Sequence, residues 1–234
     1  MIKATLALYL ESLRKAARVS TRNWVVIFTS WIYLAITLVA GYVVAPLGII
    51  GGFIMAFVAA AVVSSYIYLV EMVVRTHKVT LDDFKRSFGA HFWDVVNVMF
   101  LLWLIQLATV VVAKASGQPL AVSVIVGVAI FVLFNAVPEL IYQGRVGSIA
   151  LLAASVRFIQ ENWIEWFIPN IAFGALIYGS YLIGTGDTFS PVELVLDLAR
   201  AFLVFYMMVF RGYLFEGLNS GSRRTRMFRS RLGL

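Results

Sequence analysis

Long apolar runs alternate with shorter polar segments along the whole chain. Each run is close to the length of about 20 apolar residues that a helix needs to cross the hydrocarbon core of a membrane. The six runs occupy residues 24–44, 49–70, 95–113, 120–142, 163–183 and 192–215. Of the 234 residues, 62% are hydrophobic and only 13% are charged, whereas a soluble domain has about 25% charged residues. The pattern predicts an all-α polytopic membrane protein with six transmembrane helices.

The connections between these runs are of two alternating kinds. Those after the first, third and fifth runs are short and nearly free of basic residues, at 45–48, 114–120 and 184–191. The other segments are longer and polar, at 1–23, 71–94, 143–162 and 211–234. Because a short connection brings two helices together as an antiparallel pair, we expect three helical hairpins.

A tryptophan stands near the start of each odd-numbered run, and the three are 69 and 70 residues apart (Trp24, Trp93 and Trp163). An amphipathic segment precedes each of them. In the first segment the apolar stripe is predicted to be Ile2, Leu6, Tyr9, Leu13 and Ala17. This period predicts three parallel pseudo-repeats within one membrane domain of residues 1–219, each an interfacial amphipathic helix followed by a hairpin. Their approximate bounds are 1–70, 71–142 and 143–219.

The dipeptide Asn-Trp opens the first and third repeats, as Asn23-Trp24 and Asn162-Trp163. A chain that turns from the membrane surface into the bilayer must begin a new helix there. Asn is a favoured N-cap residue and Trp is an anchor at the headgroup level, so we assign these roles to the two dipeptides. The middle repeat differs, and there Asp94 is the expected cap after Trp93.

Two other sites carry helix-start signals. Thr80 is followed by Asp83 in the third position of the expected helix, where an acid favours the positive end of the helix. Ser190 is followed by Pro191 and Glu193, the sequence of an N-cap, a first-turn proline and an acid.

The basic residues lie almost entirely in the long polar segments. Of the 19 Lys and Arg residues, the exceptions are Lys114, in a short connection, and Arg200, within the last run. The positive-inside rule then places both termini in the cytoplasm and the protein in the inner, cytoplasmic membrane. This placement also explains the net charge of +7 without a nucleic-acid partner.

The motif Arg-x4-Asn-Trp occurs twice, from Arg18 to Trp24 and from Arg157 to Trp163, each time at the end of an amphipathic segment. With six spans, this arrangement resembles a loose group of prokaryotic six-helix membrane proteins. That group includes the membrane domain attached to some glycerophosphodiester phosphodiesterases. The resemblance implies the six-helix membrane fold. The group has no agreed catalytic residues, so the resemblance supplies none, and these 234 residues do not contain the soluble phosphodiesterase domain.

The sequence offers little catalytic chemistry. It has no cysteine, no Gly-rich phosphate loop and no His-Glu-x-x-His zinc motif. His77 and His91 stand in one polar segment, and surface or headgroup contact is the expected role of both. We therefore expect a non-enzymatic protein without a cofactor or a bound metal ion.

Charged residues within the apolar runs are the candidates for a functional site, because a charge inside a membrane is costly. Glu193, Asp197 and Arg200 share the last run, and Asp197 and Arg200 stand at helical spacing. Glu139 is the fourth candidate, expected near the cytoplasmic face with Asp94, Glu165 and Arg145. Two interpretations stay open. In the first, these residues form a site for an ion, a lipid headgroup or a partner's charge. In the second, they form structural ion pairs.

The C-terminal segment 220–234 is a basic tail with five arginines and no acidic residue (Arg223, Arg224, Arg226, Arg229 and Arg231). Near an anionic leaflet each arginine contributes about 1 kcal/mol to binding. The leading hypothesis is therefore a membrane scaffold or accessory subunit that binds lipid headgroups, another membrane protein or a second copy of itself. The alternative is a transporter of ions, lipids or small molecules with a polar site in the last run, and an intramembrane lipid enzyme is a third.

Overall fold

The structure is a computed structural model that describes residues 2–144, 147–183 and 190–220. Throughout these ranges the chain is helical and forms no strand. The helices are α1 (Ile2–Arg22), α2 (Thr29–Val44), α3 (Ile49–Thr76), α4 (Leu81–Ala90), α5 (Phe92–Ala115), α6 (Pro119–Leu133), α7 (Val137–Gln143), α8 (Ser148–Leu182) and α9 (Pro191–Asn219). Short 3₁₀ segments, Trp24–Phe28 and Ala45–Leu47, flank α2. The expectation of an all-α fold is confirmed.

Four helical segments are long and apolar enough to cross a membrane, and they indicate a multi-pass membrane protein. These segments are Trp24–Leu47, Ile49–Thr76, Phe92–Ala115 and Pro119–Gln143. The other two expected spans, 163–183 and 192–215, fall in α8 and α9, which are not among the four. Helices α2 and α3, α5 and α6, and α8 and α9 contact each other as consecutive pairs.

The buried core lies toward one end of the helices. It is formed by α1, the second halves of α3 and α9, α7 and the first half of α8. We call this region the core end. The first half of α3, most of α2, α5 and α6, and the first turns of α9 instead expose large apolar side chains. We call this region the apolar end, and its exposed Leu, Ile, Val and Phe side chains suit a lipid environment.

Helix α1 packs on α9. Ser12, Ala16 and Ser20 are buried and lie four residues apart on one face, which allows a close approach between helices. The Tyr206 hydroxyl of α9 donates to the Leu13 carbonyl of α1 at 3.1 Å. Of the predicted apolar stripe, Tyr9 and Leu13 pack against the core, whereas Leu6 is 54% exposed.

Asn23 connects the end of α1 to the loop after α3. Its side-chain amide donates to the carbonyls of Val19 at 2.9 Å and His77 at 3.0 Å. Its side-chain oxygen accepts from the Val79 amide at 2.9 Å. The N-cap prediction for Asn23 is wrong, because its side chain forms no capping bond to the following 3₁₀ segment. The asparagine instead holds His77 in its left-handed conformation, with φ of 61°.

The other two junctions also break the helix just before an exposed tryptophan. At Asn162 the backbone of α8 leaves helical geometry, with φ of −131°, and the side chain donates to the Phe158 carbonyl at 3.1 Å. In the middle of the chain α5 begins at Phe92 with His91 as its N-cap residue, so Asp94 lies in the first turn and the expectation that it caps is wrong. Trp24, Trp93 and Trp163 are all more than half exposed.

Pro169 lies inside α8, and a side chain of α1 replaces the hydrogen bond that this proline cannot make. Proline has no amide hydrogen, so it cannot bond to the carbonyl four residues earlier, that of Glu165. The Tyr9 hydroxyl donates to that carbonyl at 2.8 Å. Burial, followed by the nearby Glu165 charge, raises the pKa of Tyr9 to about 12, so the hydroxyl keeps its proton as a donor.

The start of α4 forms the predicted capping box. The Asp83 amide donates to the Thr80 hydroxyl oxygen at 3.2 Å, and the Thr80 amide donates to the Asp83 carboxylate at 2.8 Å. The cap prediction at Ser190 is also confirmed, since its hydroxyl oxygen accepts from the Glu193 amide at 3.1 Å.

Thr80→Ala is expected to lower the free energy of unfolding by about 1 kcal/mol through loss of this cap, whereas Thr80→Ser keeps the hydroxyl and should behave like the wild type. Hydrogen bonds from Thr80 lower the pKa of Asp83 below 3.8. That contribution is fully present above pH 3.8 and is lost as the pH falls through the lower pKa of the folded state. Thermal unfolding in detergent at pH 7 and pH 3 checks both statements, and a difference that grows in acid would contradict them.

Candidate functional site

A basic cleft of about 1140 Å³ opens at the core end. One wall is the polar face of α1, and the other is formed by the ends of α3, α7 and α9. Its basic residues outnumber the acidic Glu11 and Glu216 and comprise Arg14, Lys15, Arg18, Arg22 and Arg75. His77, Gln143 and Tyr213 add polar groups, and Leu10, Val19 and Val74 add apolar surface. The cleft therefore offers an anion both positive charge and an apolar floor.

Among the described residues, three of these cations have no acidic partner. Lys15 pairs with Glu11 at 2.7 Å, and Arg75 pairs with Glu71 at 2.7 Å. None of the carboxylates in the described ranges forms an ion pair with Arg14, Arg18 or Arg22. These three side chains are exposed and lie along one side of α1 at spacings of four residues. Their charge is available to a ligand.

Glu139 lies apart from the other three residues of the predicted polar site. Its side chain is 0% exposed and forms a bidentate pair with Arg211 of α9, with Nε–Oε1 of 2.7 Å and Nη2–Oε2 of 2.9 Å. Arg200 is 11 residues away along the same helix, which is about 16 Å at the ordinary helical rise. The expectation of one site that contains Glu139, Asp197 and Arg200 is therefore wrong.

The Arg211 guanidinium has further partners at the core end. It donates to the Asn135 carbonyl at 2.6 Å and lies 4.9 Å from the centre of the Trp166 ring. The Trp166 indole in turn donates to the Asn135 side-chain oxygen at 2.9 Å. Asn135 stands in the break between α6 and α7, where Pro138 starts the new helix, so the ion pair and the Trp fix the chain where helical bonds are missing.

The predicted pairing within the last run is confirmed. One amino group of Arg200 donates to Glu193 at 2.6 Å and to Asp197 at 2.7 Å, and the other donates to the Ser180 carbonyl at 3.0 Å. Arg200 also lies 4.5 Å from the centre of the Tyr181 ring. We call these three charged side chains the Arg200 cluster, and within it Arg200 bonds α9 to α8.

A cavity of about 310 Å³ borders the Arg200 cluster between α2 and α9. Asp197 and Arg200 line it, with aromatic side chains from several helices (Trp31, Tyr33, Tyr66, Tyr181 and Phe205). The Tyr66 hydroxyl and the Arg200 Nε are buried without a hydrogen-bond partner. A ligand site in the last run therefore stays a hypothesis for Asp197 and Arg200, whereas Glu139 belongs to a structural ion pair.

Sequence reasoning missed a further buried carboxylate, Glu71. It bonds to His91 Nε2 at 2.7 Å and pairs with Arg75, whose other amino group donates to the Tyr142 carbonyl. His91 is mostly buried, and His77 Nδ1 lies 3.2 Å from the Tyr213 hydroxyl. The expectation of a surface role is wrong for His91, whereas His77 is exposed. The spacing of Glu71 and Arg75, four residues apart at the end of the second run, was the available signal.

The structure does not bring the remaining acids of the predicted cytoplasmic group together. Asp94 lies 3.8 Å from His91, and Glu165 is buried in α8 near Tyr9. Arg145 and the five arginines of the basic tail lie outside the described residues. In the part of the chain that is described, no group of His, Asp and Glu residues has the arrangement of a metal site.

Comparison of the chain with protein-family models, with curated proteins and with solved structures gives no match. The resemblance to the six-helix group therefore stays a prediction.

Proposed function

We propose that the protein is a non-enzymatic membrane scaffold or accessory subunit that holds an anionic phospholipid headgroup in the basic cleft. The observation that carries this proposal is the row of unpaired Arg14, Arg18 and Arg22 above an apolar floor. A phosphodiester headgroup matches both features, because arginines bind its oxygens and the aliphatic residues contact its glycerol and first acyl carbons. The sequence of the tail supplies five further arginines for anionic lipid.

The membrane arrangement that we propose has six spans and both termini in the cytoplasm, in the inner membrane. The consecutive pairing of α2 with α3, α5 with α6 and α8 with α9 supports three hairpins. The helix breaks at Asn23, His91 and Asn162, each next to an exposed tryptophan, support three pseudo-repeats. In this arrangement the core end and its basic cleft face the cytoplasm, where anionic lipids attract basic residues.

The test is calorimetric titration of the purified protein with dioctanoyl phosphatidylglycerol. Arg14→Gln, Arg18→Gln and Arg22→Gln are combined in one variant. At about 1 kcal/mol for each arginine, we expect the dissociation constant to rise by about 100-fold. The matched control combines Lys78→Gln, Lys85→Gln and Arg86→Gln. These substitutions remove the same amount of positive charge from exposed residues that do not line the cleft, so this variant should bind like the wild type.

Two further titrants separate the possible ligands. Dioctanoyl phosphatidylcholine tests whether net negative charge is needed, and inorganic phosphate tests whether the lipid part is needed. Equal binding of both lipids, or an equal loss in the control variant, would refute the proposed cleft. Native mass spectrometry of the protein extracted from its own membrane then shows whether a protein partner or a second copy accompanies the lipid.

A transporter is the second candidate, and the cavity beside the Arg200 cluster is the observation in its favour. The cavity borders Asp197 and Arg200 but not Glu139. Transport of a solute into vesicles by the purified protein, lost in Asp197→Asn, would replace the scaffold proposal.

A further inference from the structure

The positive charge of the basic cleft exceeds what one phosphodiester needs. Arg14, Arg18 and Arg22 line the cleft without an acidic partner among the described residues, and the other two cations in its walls are paired with carboxylates. Glu216 is the acid in these walls that forms no ion pair within the described ranges. Three unpaired cations against one unpaired carboxylate leave an excess of two positive charges. A ligand with two negative charges balances this excess, whereas a single phosphodiester carries only one.

The three arginines form two equal steps along α1. Each step is four residues, which is about 6 Å at the ordinary helical rise, so the whole row is about 12 Å long. Arginine donates paired hydrogen bonds to phosphate oxygens, and a phosphate between two neighbouring arginines can accept from both. The row therefore offers two phosphate positions one helical turn apart. One lies between Arg14 and Arg18 and the other between Arg18 and Arg22, so Arg18 belongs to both.

The cleft also has room for a ligand with two phosphates and a lipid part. Its volume of about 1140 Å³ lies above the range of about 300–1,000 Å³ that is common for small-molecule pockets. Leu10, Val19 and Val74 supply apolar surface beside the arginines, which suits glycerol and the first acyl carbons. Glu11 lies one turn before Arg14 and ends the row, because its carboxylate disfavours a phosphate there.

Two phosphates in one molecule have an advantage over two separate lipids. Once the first phosphate is bound, the linker holds the second one nearby at a high effective concentration. Overall binding is then stronger by about 10²–10⁴-fold, provided that the linker spans the two positions. A linker of three carbon atoms between two phosphates is long enough for a step of one helical turn.

We infer that the basic cleft binds a lipid whose headgroup contains two phosphodiesters joined by a short linker, the chemistry of a diphosphatidylglycerol. The two phosphates occupy the two steps of the arginine row, and the acyl chains leave across the apolar floor. This inference rests on the proposed headgroup function and names the ligand class of the same cleft.

The experiment titrates the purified full chain in detergent with two lipids of equal acyl length, tetraoctanoyl diphosphatidylglycerol and dioctanoyl phosphatidylglycerol. We expect one molecule of the two-phosphate lipid to bind per chain, with a dissociation constant about 100-fold lower than that of phosphatidylglycerol. The deacylated headgroup of each lipid is titrated in the same way and should bind much more weakly than the lipid itself. Equal binding of the two-phosphate headgroup and its lipid would point to a soluble bisphosphate and overturn the inference of a lipid.

Three single variants place the two phosphates on the arginine row. Arg18→Gln removes the arginine that both phosphates share, so it should weaken the two-phosphate lipid most. Arg14→Gln and Arg22→Gln each remove one phosphate position and should reduce the advantage of that lipid to about tenfold or less. Either of them should weaken phosphatidylglycerol by no more than about fivefold. Arg86→Gln, the matched loss of an exposed arginine outside the cleft, should change the binding of neither lipid.

The outcomes separate this inference from the proposed function. If phosphatidylglycerol binds in the cleft and the two-phosphate lipid binds no more tightly, the inference is overturned and the headgroup function stands. The same holds if the advantage persists in Arg14→Gln and Arg22→Gln, because it then arises from the additional acyl chains. If neither lipid binds, both the inference and the proposed function fail.

Discussion

Glu139→Ala is expected to lower the free energy of unfolding by about 3–5 kcal/mol, because it leaves the buried Arg211 charge without its carboxylate. Arg211 is only 6% exposed, and its remaining neutral partners, the Asn135 carbonyl and the Trp166 ring, do not replace a full negative charge. Equilibrium unfolding in detergent, followed by tryptophan fluorescence, measures this loss.

The double variant Glu139→Leu with Arg211→Met separates loss of the pair from loss of packing. Replacing both charges with apolar side chains removes the desolvation cost, so the double variant should be much closer to the wild type than either single variant. Glu11→Ala is the surface control, because its pair with Lys15 is exposed and contributes about 0–1 kcal/mol. A single Glu139 variant as stable as the surface control would show that the pair does not form.

Gly212→Ala is expected to destabilise the protein by about 1–3 kcal/mol through overpacking. A β-carbon at this position would lie 2.5 Å from the Tyr142 hydroxyl oxygen and 2.8 Å from a methyl group of Val74. Both neighbours are buried at the core end, so a shift of either side chain disturbs its other contacts there. The same detergent unfolding experiment measures the effect, and Tyr142→Phe in the Gly212→Ala background should restore part of the stability.

Two other glycines are matched controls for Gly212. Gly127→Ala in α6 meets nothing within 4 Å and should stabilise the helix by up to about 1 kcal/mol. Gly217→Ala would approach the end of the flexible Leu8 side chain, which can turn away, so the cost there should be small. If all three substitutions have the same effect, close packing of α9 on α3 and α7 is not the reason for Gly212.

The sequence predicts the apolar helices well and the contacts at the core end poorly. Uninterrupted apolar runs such as 24–44 leave few alternatives to a membrane helix, and the capping residues at Thr80 and Ser190 act within one helical turn. The pairing of Asp197 with Arg200 is equally local, three residues apart.

The partners that the sequence does not reveal are distant along the chain. Glu139 bonds to Arg211 and Asn23 bonds to the loop at 77–79, and no spacing rule connects such positions. Asn23 also shows that one residue type suits two roles, since its side chain bonds across the molecule rather than to the next helix. The basic cleft was predicted only as an excess of charge on one side, because its walls come from four helices.

The packing of α1 against α9 bears on the order of assembly during synthesis. Helix α1 is made before α9, so the hydrogen bond from the Tyr206 hydroxyl to the Leu13 carbonyl can form only after α9 has been made. The apolar helices can enter the bilayer in turn as they emerge from the ribosome, but the packing of the core end cannot be completed until α9 has been made. Ribosome-bound chains that stop before residue 191 should therefore be inserted yet remain sensitive to protease at α1.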